Sequence, residues 1–97
     1  MREVDKELLL AAKSGDKERV RLLLENGANV NARDRYGWTA LMWAVFKGYK
    51  EIVKLLLENG ADVNVRDFFG NTALKFASMK IGCEEIVELL KSYGAKK

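Results

Sequence analysis

The chain has 97 residues, 48% of them hydrophobic and 32% charged, which is too apolar for a disordered chain and too evenly broken for a membrane-spanning helix. It contains no histidine, so the commonest general base and metal ligand is missing, and we expect no catalysis, no metal and no cofactor. The net charge of +3 gives weak support for nucleic-acid binding, because the basic residues alternate with glutamates as on solvated helix faces.

The amino-terminal segment is charged rather than apolar. Residues 1–7 read MREVDKE, whereas a secretory signal needs an apolar run. We therefore expect no export and a cytoplasmic location. The single cysteine, Cys83, cannot form an internal disulfide, and we expect it to be a small, half-buried side chain in a reducing compartment.

The chain repeats itself with a fixed period. Residues 25–34 read ENGANVNARD and residues 58–67 read ENGADVNVRD, a shift of 33 positions. The same shift aligns the Leu-Leu-Leu runs and the Thr-Ala-Leu runs of the two segments. A period of this length predicts a domain of stacked helical repeats.

The first two units each have the signals of two helices joined by a turn. A helix is predicted around residues 8–12, and Asp16 is placed to cap the next one. In the second unit Thr39 is a predicted N-cap of a short helix that ends at Gly48. A second helix is predicted over residues 49–59, where apolar side chains follow a helical spacing.

The third unit follows the same pattern with one difference. Thr72 is the predicted N-cap of a short helix ending at Gly82, and a second helix is predicted over residues 84–93. The closing glycine comes one residue later than in the second unit. This indicates an insertion near Lys80 or Ile81, and we expect a longer turn there.

Two motifs carry a resemblance to a known family. The pattern Asp-x-x-Gly-x-Thr-x-Leu occurs at residues 34–41 and 67–74, and the run EIVKLLLENGADVN occupies residues 51–64. The chain resembles the ankyrin repeat family over essentially its whole length. It departs from the family where Thr-Pro-Leu-His is usual, since residues 39–42 read TALM and residues 72–75 read TALK.

The resemblance implies an all-α solenoid of stacked helix-turn-helix units with projecting hairpin loops and a concave face lined by the first helices. We expect a single domain over residues 1–97. Its repeats are predicted at about 1–33, an amino-terminal cap, 34–66, an internal repeat, and 67–97, a carboxyl-terminal cap. Terminal repeats need a polar outer face because they have only one neighbour.

Aromatic and basic residues occupy the hairpin and first-helix positions that the family leaves free. A turn normally favours Asn, Asp, Ser or Gly, so aromatic side chains there indicate a surface that a partner covers. Trp38 is the strongest single prediction for a contact residue. The predicted partner-binding residues are Arg33, Arg35, Tyr36, Trp38, Trp43, Phe46, Lys47, Arg66, Phe68, Phe69, Asn71, Phe76, Met79 and Lys80.

Several of these residues have an alternative, structural interpretation. Tyr36 and Phe69 can pack between neighbouring hairpins, and Trp43 and Phe76 can pack between repeats instead of contacting a partner. Asp34 and Asp67 recur at the period and are interpreted as caps of the turn amides. A lysine stripe that could bind phosphate is less favoured, because its members pair with glutamates at helical spacing; it comprises Lys13, Lys47, Lys50, Lys54 and Lys80.

The predicted function is non-enzymatic binding of a protein partner through the hairpin tips and the concave helix face. No nucleic acid and no membrane are expected as partners. Two alternatives stay open. The same aromatic patch can be buried against a second copy of the chain in a homodimer, or the chain can be a natural or designed scaffold without a dedicated partner.

Overall fold

Six helices in three pairs make up the part of the fold that the structure describes. The computed structural model describes residues 1–95, and no strand occurs within that range. The last two residues of the predicted third repeat, Lys96 and Lys97, lie outside the described residues. The helices are α1 (Glu3–Ser14), α2 (Lys17–Glu25), α3 (Ala40–Lys47), α4 (Lys50–Glu58), α5 (Ala73–Ser78) and α6 (Glu84–Ser92).

The predicted caps are confirmed at the helix starts. The side chain of Asp16 accepts a hydrogen bond from the amide of Arg19 at 3.0 Å. Thr39 and Thr72 cap α3 and α5 in the same way, through the amides three residues further on. Each cap satisfies an amide that has no partner within its own helix, which fixes where the helix begins.

The helices form two rows that share one core. Helices α1, α3 and α5 pack side by side as the inner row, and α2, α4 and α6 lie behind them. The contact between rows is apolar, and its fully buried side chains lose all exposure to water, the main source of folding free energy in such a domain. The largest of them are Leu8, Val20, Leu41, Met42, Val45, Val53, Leu56 and Leu90.

The buried carboxylate of Asp5 anchors the start of α1 to the loop that follows α2 and pairs with the exposed Arg2. Oδ1 of Asp5 accepts the amide of Asn29 at 2.7 Å, and the guanidinium of Arg2 donates to both carboxylate oxygens at 3.1 Å. The amide of Asn29 and then the Arg2 guanidinium lower the pKa of Asp5 below its ordinary value. One carboxylate thus links the first helix of the first repeat to the loop that follows its second helix.

The third repeat departs from the predicted bounds. Helix α5 ends at Ser78, not at Gly82 as predicted, because the inserted residue breaks the helical continuation and Met79 becomes the C-cap. The connection to α6 covers residues 79–83, compared with residues 48–49 between α3 and α4. The expected longer turn is therefore confirmed, and it begins earlier than predicted.

Cys83 is a second correction, since its side chain is buried with 4% exposure instead of half-buried. It immediately precedes α6 and belongs to the shared core, which explains the burial. Its thiol is free. Over residues 1–95 there is no helix with the length and apolar character needed to cross a bilayer.

Candidate functional site

The two hairpin loops are each built around one aspartate. Oδ1 of Asp34 accepts hydrogen bonds from the amides of Tyr36 (2.8 Å) and Trp38 (3.0 Å). Asp67 makes the same pair of bonds one repeat later, at 2.9 and 2.8 Å. The predicted turn-capping role of both aspartates is confirmed, and it gives the hairpin tips a fixed backbone shape.

The second oxygen of each aspartate holds a tryptophan. Oδ2 of Asp34 accepts the indole N–H of Trp43 at 2.8 Å, and Oδ2 of Asp67 accepts that of Trp38 at 3.0 Å. Burial raises the pKa of Asp67, but the amides of its own turn and the Trp38 indole outweigh it and hold the pKa below its ordinary value. Trp38 therefore joins the first hairpin to the second through a charged acceptor.

Four rings form a continuous aromatic cluster on the inner face: Trp38, Trp43, Phe46 and Phe76. The centroid of Trp38 lies 4.5 Å from that of Trp43, 5.3 Å from Phe46 and 4.8 Å from Phe76. Tilted and edge-to-face arrangements of this kind stabilise neighbouring aromatic side chains. The cluster crosses from α3 to α5, so it packs two repeats together.

Trp38 is half-buried in this cluster rather than exposed as the sequence led us to expect. Its ring packs on three others and its N–H is occupied. Trp43 and Phe76 are also half-buried against the core. Phe46 keeps 46% of its surface exposed. A contact with a partner at Trp38 stays a prediction, whereas its packing role is directly visible.

The hairpin tips carry the most exposed aromatic side chains. Tyr36 is 54% exposed, Phe68 is 69% exposed and Phe69 is 86% exposed. Tyr36 and Phe69 do not stack on each other in the described part of the chain. Contact between the hairpins runs instead through Phe68, whose ring lies so close to Gly37 that a Cβ there would be 2.9 Å from Cδ1.

Arg33 supports this contact between the hairpins. Its guanidinium lies 5.6 Å from the centre of the Phe68 ring. It also donates to the carbonyl oxygens of Gly37, at 3.1 Å, and of Arg66. The side chain of Arg33 thus holds the tips in register, and it combines a cation–π contact with two main-chain bonds.

The remaining predicted residues lie around the cluster and the tips. Arg35, Lys47 and Arg66 are exposed, and Asn71 is half-buried beside Asp67. Met79 is 72% exposed at the end of α5. The ammonium of Lys80 donates to the carbonyl of Phe46 at 2.9 Å, so this lysine bridges the second and third repeats.

One part of the inner surface was missed by the sequence analysis. A groove with a volume of about 640 Å³ runs between α1 and the first hairpin. Residues of α1 at helical spacing form one wall, and the hairpin with Trp43 forms the other. The α1 residues are Lys6, Leu9, Leu10 and Lys13; the other lining residues are Met1, Asp34, Arg35, Tyr36 and Trp43.

The repeat period indicates which α1 residues face the groove. A shift of 33 places Leu10 opposite Trp43 and Phe76, and Lys13 opposite Phe46 and Met79. Extending the alignment to the first repeat would have assigned Leu10 and Lys13 to the inner face. Leu10 was overlooked, and Lys13 was considered only as a member of the lysine stripe, because the first repeat lacks the hairpin motif that marks the other two.

Fold and surface together define a helical repeat protein with an exposed aromatic and basic inner face. A family model for ankyrin repeats, in three copies, matches residues 8–97, and the chain belongs to the ankyrin repeat family. Ankyrin repeats are generally protein–protein interaction modules and are typically non-enzymatic. No curated protein is significantly similar to the chain.

Proposed function

We propose that this chain binds a protein partner, without chemistry or cofactor, through its hairpin tips and concave helix face. The observation that carries the proposal is the exposure of Tyr36, Phe68 and Phe69 on loops held rigid by their aspartates. Rigid, exposed aromatic side chains are typical of energetic centres in protein interfaces. A reducing compartment such as the cytoplasm suits the free thiol of Cys83.

The fixed backbone of the hairpin tips limits the conformational entropy that they lose on binding a partner. A mobile loop loses conformational entropy when it becomes ordered on binding, and this weakens the complex. Here the hydrogen bonds of Asp34 and Asp67 already fix the backbones of the tips. Burial of one Phe side chain contributes about 1.5–3 kcal/mol relative to leaving it in water. Phe68 and Phe69 together therefore supply enough apolar area to anchor a partner.

Self-association is the alternative that one observation favours. Phe69 and Ile81 are 86% and 100% exposed, and both lie outside the packed cluster. Apolar side chains this exposed favour contact with any complementary surface, including a second copy of the chain. In that case the homodimer buries the same tips that we assign to a partner.

The test compares capture of a partner by the wild-type chain and by the variant Phe68→Ser with Phe69→Ser. Both positions are exposed and lie in the loop between α4 and α5, so we expect the variant to keep its helicity even though it removes the contact of Phe68 with Arg33. The wild type is expected to capture a protein from lysate and to form a cross-link with it. We expect the variant to capture neither this protein nor its cross-linked form. The matched control is Leu22→Ser, which removes an exposed apolar side chain on α2, on the opposite side of the molecule.

Light scattering over a range of concentrations distinguishes the alternatives. A monomer that loses its captured partner only in the Phe68 and Phe69 variant supports partner binding. A dimer that the same variant dissociates means that the occupant of the tips is another copy. Equal capture by the wild type and both variants would rule out the tips as the binding surface, as would the absence of both a captured protein and a dimer.

A further inference from the structure

The groove between α1 and the first hairpin combines an apolar floor with a basic rim. Leu9 and Leu10 lie on the floor, and Leu10 keeps 62% of its surface exposed. Lys6 precedes the two leucines on α1 by three and four positions, and Lys13 follows them by four and three. All four side chains therefore share one face of the helix. Arg35 provides a third cation from the opposite wall.

The positive charge of this groove is not neutralised within it. Its one carboxylate, Asp34, is already occupied by two amides and by the indole of Trp43. Within residues 1–95, Lys6 and Arg35 take part in none of the ion pairs. The lining thus has three cations, Lys6, Lys13 and Arg35, against the single carboxylate of Asp34, so the groove keeps a net positive charge beside its apolar surface.

The same separation of charge extends along the molecule. Helices α3 and α5 contain no acidic residue, whereas α6 contains three glutamates. On the outer row, Lys50 and Lys17 pair with Glu85 and Glu51 on neighbouring helices. Two outer-row lysines thus have a carboxylate partner on the next helix, whereas Lys6 and Arg35 of the groove have no ion-pair partner among the described residues.

We infer that the groove binds an acidic peptide segment of a partner, with one or two apolar side chains on the leucine floor and carboxylates on Lys6, Lys13 and Arg35. The inference rests on the proposed function and assigns the chemistry of the partner. Helix α1 has 12 residues, about 18 Å at 1.5 Å per residue. About five or six residues of extended chain span that length at roughly 3.3 Å each.

A single-stranded nucleic acid fits the groove less well. Binding of such a strand relies on free ring faces on which bases stack. The aromatic side chains lining this groove are one exposed tyrosine, Tyr36, and Trp43. The ammonium of Lys13 lies 4.8 Å above its ring, and Trp38 packs against it at 4.5 Å. The floor beside it is aliphatic, which suits an apolar side chain better than a base.

The experiment is selection of binders from a random peptide display library on the immobilised full-length chain, followed by affinity measurement on the selected peptides. We expect the selected peptides to place Asp or Glu around Leu, Met or an aromatic residue. The variant Lys6→Glu with Arg35→Glu is expected to weaken their binding about tenfold or more, because two attractions become repulsions. Leu10→Ser is expected to weaken binding by removing the apolar floor.

The matched control is Lys54→Glu with Lys91→Glu, which makes the same change in net charge on α4 and α6. We expect it to alter binding by less than about twofold, since exposed charges beyond a Debye length are screened. All three variants change exposed side chains, and their helicity is compared with that of the wild type by circular dichroism.

Three results would overturn the inference and leave the proposed function standing: selected peptides without acidic residues, equal weakening by groove and control variants, or dependence on Phe68 and Phe69 alone. Failure to select any peptide, while a protein partner is still captured, has the same meaning. Oligothymidylate that competes with the peptides and binds more tightly would instead indicate nucleic acid and contradict both proposals.

Discussion

The hydrogen bond between the Trp38 indole and Asp67 makes a testable prediction about how the repeats are held together. Trp38→Phe keeps an aromatic ring in the cluster but removes the N–H that donates to Oδ2 of Asp67 at 3.0 Å. Asp67→Asn keeps an acceptor for the turn amides, while its new amide N–H group opposes the indole N–H. The double variant removes both the bond and this opposition.

The expected size follows from the charge of the acceptor. A hydrogen bond to a charged group contributes about 1.5–3 kcal/mol, so we expect Trp38→Phe to lower the free energy of unfolding by about 2 kcal/mol. In a domain of this size that corresponds to a melting temperature roughly 10 °C lower. The double variant should lose less than the sum of the single variants, with a coupling energy of about 1–2 kcal/mol.

Urea denaturation followed by circular dichroism measures this coupling. The helix signal is preferable to fluorescence because the variants remove an indole. The control cycle combines Trp43→Phe with Asp67→Asn: Trp43 lies in the same cluster, but its indole donates to Asp34. We expect the control pair to show a coupling energy close to zero.

Equal coupling energies in the two cycles would refute the assignment of Trp38 to Asp67. The outcome also decides how the sequence prediction for Trp38 is interpreted. If Trp38→Phe leaves stability unchanged and weakens binding of a partner, Trp38 is a contact residue. If it lowers stability and leaves binding unchanged in the folded protein, Trp38 joins the repeats and the contacts lie elsewhere.

Two further predictions concern the hairpins and acid stability. Gly37→Ala should destabilise the protein more than Gly70→Ala. Both sites have a positive φ, which costs roughly 1 kcal/mol for alanine, but only Gly37 lies against the Phe68 ring. Equal losses of unfolding free energy in urea denaturation would contradict this. The pKa values of Asp5 and Asp67 are lowered by folding, so their stabilisation is present above the ordinary value of 3.8 and is lost as the pH falls below it. A melting temperature that is the same at about pH 7 and about pH 3 would contradict the second prediction.

The sequence was sufficient for the repeat period and for the caps whose bonding partners lie within a few residues. The period located the repeats, and the hydroxyl and carboxylate caps located the starts of α2, α3 and α5. Asp34 and Asp67 were interpreted as turn caps because they recur at the start of each loop. In each case the partner of the side chain lies within a few residues, so the sequence already contains both halves of the interaction.

Contacts between repeats could not be predicted in the same way. The partner of Trp38 is 29 positions away, and nothing in the local pattern tells which tryptophan donates to which aspartate. The end of α5 was misplaced because a glycine that ends one helix of a repeat need not end its equivalent after an insertion. Phe68, not Tyr36 or Phe69, packs between the hairpins, and the missing Cβ of Gly37 leaves the space that the Phe68 ring approaches.

The division between packed and exposed rings determines which parts of the surface can vary independently of folding. The stability of a repeat array is approximately a sum of terms for single repeats and for their neighbouring interfaces. Trp38 and Phe76 belong to such an interface, so changing them alters stability together with any effect on binding. Leu10 and Phe69 have most of their surface in water. New specificity can therefore arise at α1 and at the hairpin tips with little loss of stability, and binding experiments are most informative there.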